Sequence, residues 1–253
     1  MVLSSYQLPK YHKHSIRIHS YEVDFNQKLT VTALFNYFQE IAWEHAHILG
    51  YGFEHLLQKG LFWVLSRVEA EIYRLPRWTE QVTLLTWPRG SDGIFAFRDF
   101  EMYDESGKII IAATSSWLVL NAKSHRPVRI NWFSDFDFAQ RNALDRNAAK
   151  LLEAGGVPDF SEKISVRIGD IDMNQHVNNV RYIDWAYNTF SIEHFKNVYP
   201  ARVAVNFNAE AKAGDLLAIS LFQDQNGESL VDITSADNNK NLCRLMFSWK
   251  KIS

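Results

Sequence analysis

One cysteine, Cys243, stands among 253 residues. A lone thiol excludes an internal disulfide framework and any thiolate metal cluster. Eleven glycines and six prolines are too few for a low-complexity or collagen-like chain. A formal net charge of −2 supplies no global attraction to nucleic acid, so none is expected as a partner. Uninterrupted apolar runs such as Ile109–Ala113 fall far short of the ~20 residues a membrane helix needs, so no membrane insertion is expected. Met1–Pro9 has no basic stretch ahead of an apolar block. The expectation is a cytoplasmic protein, or a mature form already trimmed, with no secretory signal or convincing transit peptide visible. There is no His-Glu-x-x-His, Walker loop or dinucleotide fingerprint. His12, His14, His19, His45 and His47 read as ordinary histidines, and no metal or cofactor is expected.

What the chain does have is a core-sized apolar content, 47% hydrophobic with 14% aromatic. It also repeats itself. Asp24-Phe25-Asn26-Gln27-Lys28-Leu29 aligns with Asp172-Met173-Asn174-Gln175-His176-Val177, 148 residues later. The residues that follow agree in character, Leu34–Phe38 against Tyr182–Ala186. Ser115-Ser116-Trp117-Leu118 then matches Phe247-Ser248-Trp249-Lys250. Three matches in one order argue for two copies of a unit of ~100–120 residues. The division expected is an N-terminal domain over 1–135, a linker over 136–160 and a C-terminal domain over 161–253.

Each copy reads as a short strand (Ile16–Val23; Ile164–Ile168), a helix, then an antiparallel meander. Val31, Leu34, Phe35, Phe38, Ile41, Ala42, Ala46 and Leu49 recur at three and four, which predicts a helix over 30–49, capped by Thr30 or Thr32 and stopped by Gly50. A second helix is expected over 178–195. Strands are expected at 61–73, 81–87, 95–103 and 108–120, and at 202–211, 216–223, 229–235 and 242–250. Turns at Asp104–Gly107, Gln225–Gly227 and Asp237–Asn239 separate the later ones. Residues 140–154 read as a polar, helix-like part of the linker. A lone helix so apolar must be covered by its sheet. The fold class is therefore α+β, a double (tandem) hotdog, each half an antiparallel sheet wrapped around a central helix.

The chemistry concentrates at 170–179. Short polar side chains before a helix are usually caps and turn formers, which accounts for Asn178 and Asn179. His176 is not a favoured cap. Free backbone N–H groups at a helix start also suit a developing oxyanion. Two readings stand on these residues, a capping segment or an acyl-transfer site.

Asp172-x-Asn174-x-His176-Val177-Asn178-Asn179, followed by Arg181-Tyr182-Ile183-Asp184-Trp185, resembles the acyl-acyl carrier protein thioesterases of plants and bacteria. Trp63–Arg67, Tyr73–Trp78 and Ala113–Trp117 resemble that family's first-domain strands, and the likeness covers nearly the whole chain. It implies a tandem hotdog that hydrolyses the thioester between a fatty acyl chain and the phosphopantetheine arm of acyl carrier protein. It implies Asp172, Asn174 and His176 as catalytic residues. It also implies a glutamate 34 residues beyond the histidine, where Glu210 stands. Some plant members carry cysteine after that glutamate. Ala211 is here instead, which turns the chemistry toward a carboxylate.

The expected mechanism needs no metal. Glu210 activates water or attacks the thioester, His176 and Asp172 orient it, and Asn174 positions substrate or water. Backbone N–H groups of Val177, Asn178 and Asn179 hold the oxyanion. The first copy has Lys28 in place of His176, so it reads as a degenerate half serving the acyl chain. Phe35, Phe38, Trp43 and Trp63 are candidate tunnel walls, with plain core packing as the competing reading of each. Acyl carrier proteins are acidic, so Lys123, Arg126 and Arg129, or Arg74, Arg77 and Arg89, are candidate docking charges. The rival readings are a hydratase or dehydratase on acyl thioesters, an acyl-coenzyme A thioesterase and a non-catalytic acyl-binding module. Monomer and homodimer are both compatible with a tandem hotdog.

Overall fold

The computed structural model describes residues 9–132, 136–224 and 227–252. The N-terminal segment expected to lack a signal, the proposed domain limit at 135 and the Gln225–Asn226 part of one turn lie outside, or largely outside, those residues. Ten strands form one sheet in the order β1-β3-β4-β5-β2-β7-β10-β9-β8-β6. The first half supplies β1 (His12–Arg17), β2 (Leu61–Ile72), β3 (Gln81–Ser91), β4 (Ala96–Tyr103) and β5 (Ile109–Asn121). The second supplies β6 (Phe160–Ser165), β7 (Val198–Phe207), β8 (Leu216–Gln223), β9 (Glu228–Ser235) and β10 (Asn241–Lys251). Each half has the same internal order, and the halves join antiparallel through β2 and β7. No described helix is long and apolar enough to cross a membrane.

The helix α1 (Val31–Ile48) forms where the three-and-four pattern placed it. Thr30 Oγ1 accepts from the Ala33 N–H at 3.1 Å, and Gly50 takes φ +75° just past the end. Its buried face packs with Val82, Leu84, Phe100, Met102, Ile111 and Ala113 of the sheet. Full burial of side chains such as Leu34 and Ile41 contributes about 1.5–3 kcal/mol each. The same core continues through α3 (Asn179–Tyr187) onto β7, β8, β9 and β10.

Three expectations need correction. The second helix is not continuous. It ends at Asn188, and a separate α4 (Ile192–Asn197) follows. Thr189 Oγ1 donates to the Ala186 carbonyl at 2.8 Å, and Ser191 Oγ accepts from His194 N–H at 3.2 Å. Hydroxyls that take over backbone partners stop one helix and cap the next. The opening strands begin about four residues earlier than expected, at His12 and Phe160. Residues 140–154 contain no helix.

This stretch crosses the sheet as irregular chain that bends over 143–146, and side chains of the sheet satisfy part of its backbone. Asp99 Oδ2 accepts from Ala143 N–H (2.7 Å), Glu69 Oε2 from Ala149 N–H (3.0 Å) and Asn206 Oδ1 from Leu151 N–H (2.8 Å). Burial alone would raise the Glu69 carboxyl's pKa. Bonds from Arg202, the Ala149 N–H and Arg146 outweigh it and hold the group below its usual range.

Candidate active site

The two copies of the Asp-x-Asn segment fold into the same turn. Asp24 N–H donates to the Lys28 carbonyl and Asp172 N–H to the His176 carbonyl, both at 2.8 Å. Asp24 Oδ1 accepts from Asn26 N–H and Asp172 Oδ1 from Asn174 N–H, again both at 2.8 Å. Gln27 and Gln175 both sit at positive φ, 60° and 64°. This left-handed backbone is a property of the turn, because the first copy has it without His176's counterpart. Leu29 N–H reaches the Pro76 carbonyl, and Val177 N–H the Ala211 carbonyl, both at 2.9 Å. Pro76 and Ala211 are therefore equivalent, and Leu75 occupies the place of Glu210.

In the second copy this wiring brings two distant residues together. His176 Nε2 lies 3.2 Å from Glu210 Oε2. The His176 side chain is 27% exposed and that of Glu210 45%, so the pair is open to water. Glu210 sits just beyond β7, which ends at Phe207, rather than on a strand as expected. The Asp172 carboxylate supports the turn through Asn174 N–H and, among the described residues, makes no bond to the side chain of His176 or Glu210. Asn174 is exposed.

The helix start offers fewer donors than the three expected. Val177 N–H is held by Ala211, and Asn178 N–H donates to the Asp170 carbonyl at 2.9 Å. Asn178 Oδ1 caps α3 by accepting from Val180 N–H at 2.9 Å. Among the described residues, Asn179 N–H alone of the three has no such bond.

Beside this turn lies a narrow apolar cavity of about 20 Å³. Phe35 and Phe38 line it, with Leu65, Trp117, Ile183 and Phe207, and Asn179 and Val180 close the end nearest His176. Trp43 and Trp63 are elsewhere. Trp43 is 45% exposed and stacks on His47. Trp63 Nε1 donates to the Tyr51 carbonyl at 2.8 Å, and its ring packs on Ala96, Val119 and Ile130. The lining at Leu65 and Phe207 escaped sequence reasoning. Both flank the β2–β7 join, which no local motif marks.

The basic candidates separate as well. Arg74 is bidentate to Glu80 (2.6 and 2.9 Å) and reaches Asp104, and Arg89 is committed to Asp99 at 2.9 Å. Arg77 is exposed and lies beside Lys28, at the degenerate turn. Lys123, Arg126 and Arg129 are all exposed around the turn after β5 and form no ion pair among the described residues. Asn121 pairs with Leu61, and Arg67 with Asn206. That register puts the Lys123–Arg129 turn at the end of the sheet toward which β7 runs to reach Glu210.

Cys243 is fully buried on β10 opposite Phe207, and burial, with Asp232 nearby, pushes its thiol pKa well up. A thiol so held is a poor nucleophile.

The family model described as the acyl-ACP thioesterase N-terminal domain matches residues 9–132, and the acyl-ACP thioesterase C-terminal domain matches 157–251. A chloroplastic acyl-[acyl-carrier-protein] hydrolase of Cuphea viscosissima is 30% identical over 219 residues, covering 81% of this chain and 53% of its own. The chloroplastic oleoyl-acyl carrier protein thioesterase 2 of Arabidopsis thaliana is 29% identical over 224 residues, covering 81% and 61%. The chain thus spans little more than half the length of these curated relatives. Among solved structures, an acyl-ACP thioesterase from Bacteroides thetaiotaomicron superposes with a TM-score of 0.88 at 26% identity, over 95% of this chain and 98% of that one. The 12:0-ACP thioesterase from Umbellularia californica shares the fold, with a TM-score of 0.88 at 22% identity over 96% and 98%.

Proposed function

The chain belongs to the acyl-ACP thioesterase family, and we propose that it hydrolyses the thioester of fatty acyl-acyl carrier protein, releasing free fatty acid and the carrier's thiol. The observation that supports this most is the His176–Glu210 pair, 3.2 Å apart, beside an apolar cavity and formed in one copy of the repeat only.

Glu210 is the base. One carboxylate oxygen is engaged by His176, and the side chain's exposure leaves the other facing water. As the water oxygen adds to the thioester carbonyl, Glu210 takes its proton. The carbonyl oxygen gathers negative charge beside the Asn179 N–H at the positive end of α3. Collapse breaks the carbon–sulfur bond, and the proton held by Glu210 passes to the departing thiolate. His176, with Nε2 3.2 Å from Glu210 Oε2, fixes the carboxylate, Asp172 holds the turn that presents His176, and exposed Asn174 positions the thioester.

The acyl chain enters between α1 and α3, past Phe35 and Phe38. A cavity of about 20 Å³ holds about one water, so these rings must swing aside for a fatty chain. An acidic carrier protein approaches over Lys123, Arg126 and Arg129, on the side from which its arm reaches Glu210. Free-thiol release from acyl-acyl carrier protein tests the reading. Release above the uncatalysed rate is expected, and none would overturn it.

A further inference from the structure

Away from this site, two histidines and a glutamate converge at the edge of the sheet. His12 and His14 are two apart on β1, so their side chains share a face while Lys13 points away. Pairing with β3 fixes their positions, His12 opposite Thr86 and His14 opposite Leu84. Glu44, in the last turns of α1, reaches across to both. Its Oε2 lies 2.9 Å from His12 Nε2 and 2.5 Å from His14 Nε2. All three ligand atoms lie within 4.8 Å of one another.

We propose that His12, His14 and Glu44 bind one divalent transition-metal ion, zinc being the first candidate, which ties β1 to α1. Two imidazoles and a carboxylate are a donor set for such ions, with bonds of roughly 2.0–2.2 Å to zinc. Donors around a tetrahedral ion stand about 3.3 Å apart, so side-chain rotations of under about 1 Å open the present cluster to receive one. The rings are already held. His12 stacks on His45 with centroids 5.6 Å apart, and His45 is anchored by the Pro9 carbonyl at 3.0 Å and Arg98 at 3.2 Å. The three ligand side chains are 22–33% exposed, so a water can complete the coordination. The ordinary alternative is a carboxylate accepting two imidazole N–H bonds, which takes up no metal. A second His–Glu group, His47, Glu54 and His55, is more exposed, with His47 and Glu54 3.4 Å apart. It serves as the control.

The full chain, stripped with chelator, is titrated with zinc chloride by calorimetry and with cobalt(II) by visible absorption. One equivalent of each is expected, with visible bands of cobalt in a low-coordinate site. Zinc at a hundredfold excess over Kd should raise the melting temperature by about 5 °C. At the same zinc concentration, His14→Gln and Glu44→Gln should each weaken binding at least tenfold and cut the shift to about half or less, whereas His47→Gln changes neither. Metal-free melting curves show which variants fold, and His14→Gln, an edge-strand change, carries the test if Glu44→Gln does not. No uptake, uptake unaltered by His14→Gln, or uptake lost in His47→Gln would each overturn the proposal.

Discussion

Lys28 and His176 occupy the same position in two copies of one turn, with matching backbone bonds around both. Their partners differ equally. Leu75 stands where Glu210 stands, so the first copy lacks both the imidazole and the carboxylate. The fold builds the turn twice and equips it once.

This duplication separates the structural from the chemical role of the aspartates. Asp24→Ala should cost about 1 kcal/mol of stability, as loss of a capping side chain does, with turnover unchanged. Asp172→Ala should cost a similar amount and also lower turnover at least tenfold, because it loosens the segment presenting His176. Asp172→Asn keeps an acceptor oxygen for Asn174 N–H and should restore most of both. Thermal melts beside thiol-release rates check this. An Asn variant as inactive as the Ala variant would mean that the charge itself acts.

Chain-length preference should follow the cavity. Phe38→Ala opens space between α1 and the sheet and should shift product toward longer acids. It should also cost about 3–5 kcal/mol of stability, as large core truncations do. Trp63→Ala, outside the cavity, should leave the profile unchanged. Free fatty acids released from a mixed set of acyl carriers report the result.

Docking should depend on one basic group and not the other. Arg126→Glu with Arg129→Glu should raise KM for the carrier-bound substrate several-fold and leave a small thioester unaffected. Arg74→Glu should lower stability through Glu80 and Asp104 without that KM effect. Salt should weaken turnover on the carrier-bound substrate more than on the small thioester.

Glu69 lies at the centre of the join between halves, opposite Ala204, and accepts from Arg146, Arg202 and Ala149 N–H. Its folded pKa is depressed, so the unfolded chain binds the proton more tightly. Its contribution is full above the unfolded carboxyl's range and lost as pH falls through the folded value. Glu69→Gln should destabilise by about 3 kcal/mol near neutral pH, since it leaves Arg202 without its carboxylate and Arg146 with Glu71 alone. It should also flatten the acid limb of the melting profile.

Much of this was legible in the chain. The repeat, α1 with its Thr30 cap and Gly50 stop, and most of the meander strands follow from local pattern. The His176–Glu210 pairing was reached through family resemblance. Its wiring, Val177 to Ala211, is a long-range bond that no local pattern displays. The linker was misread because a polar stretch whose N–H groups bond to Glu69, Asp99 and Asn206 looks, locally, like a solvated helix. The break at Asn188 was missed because Ile183, Ala186, Tyr187 and Phe190 keep a helical spacing while Thr189 and Ser191 divert the backbone. His12, His14 and Glu44 are joined only by strand–helix packing. The two-residue histidine spacing on an edge strand was their only local sign.

The central claim is that His176 and Glu210 together cleave an acyl-carrier thioester. The most direct measurement is thiol release from acyl-acyl carrier protein by the wild type, Glu210→Gln and His176→Ala, each with its melting temperature. Both side chains are partly exposed and outside the core, so the melts should agree within a few degrees. Each variant should lose turnover by about 10²–10⁴-fold, the range for a positioned base. Near-wild-type release by a folded Glu210→Gln protein would contradict the account.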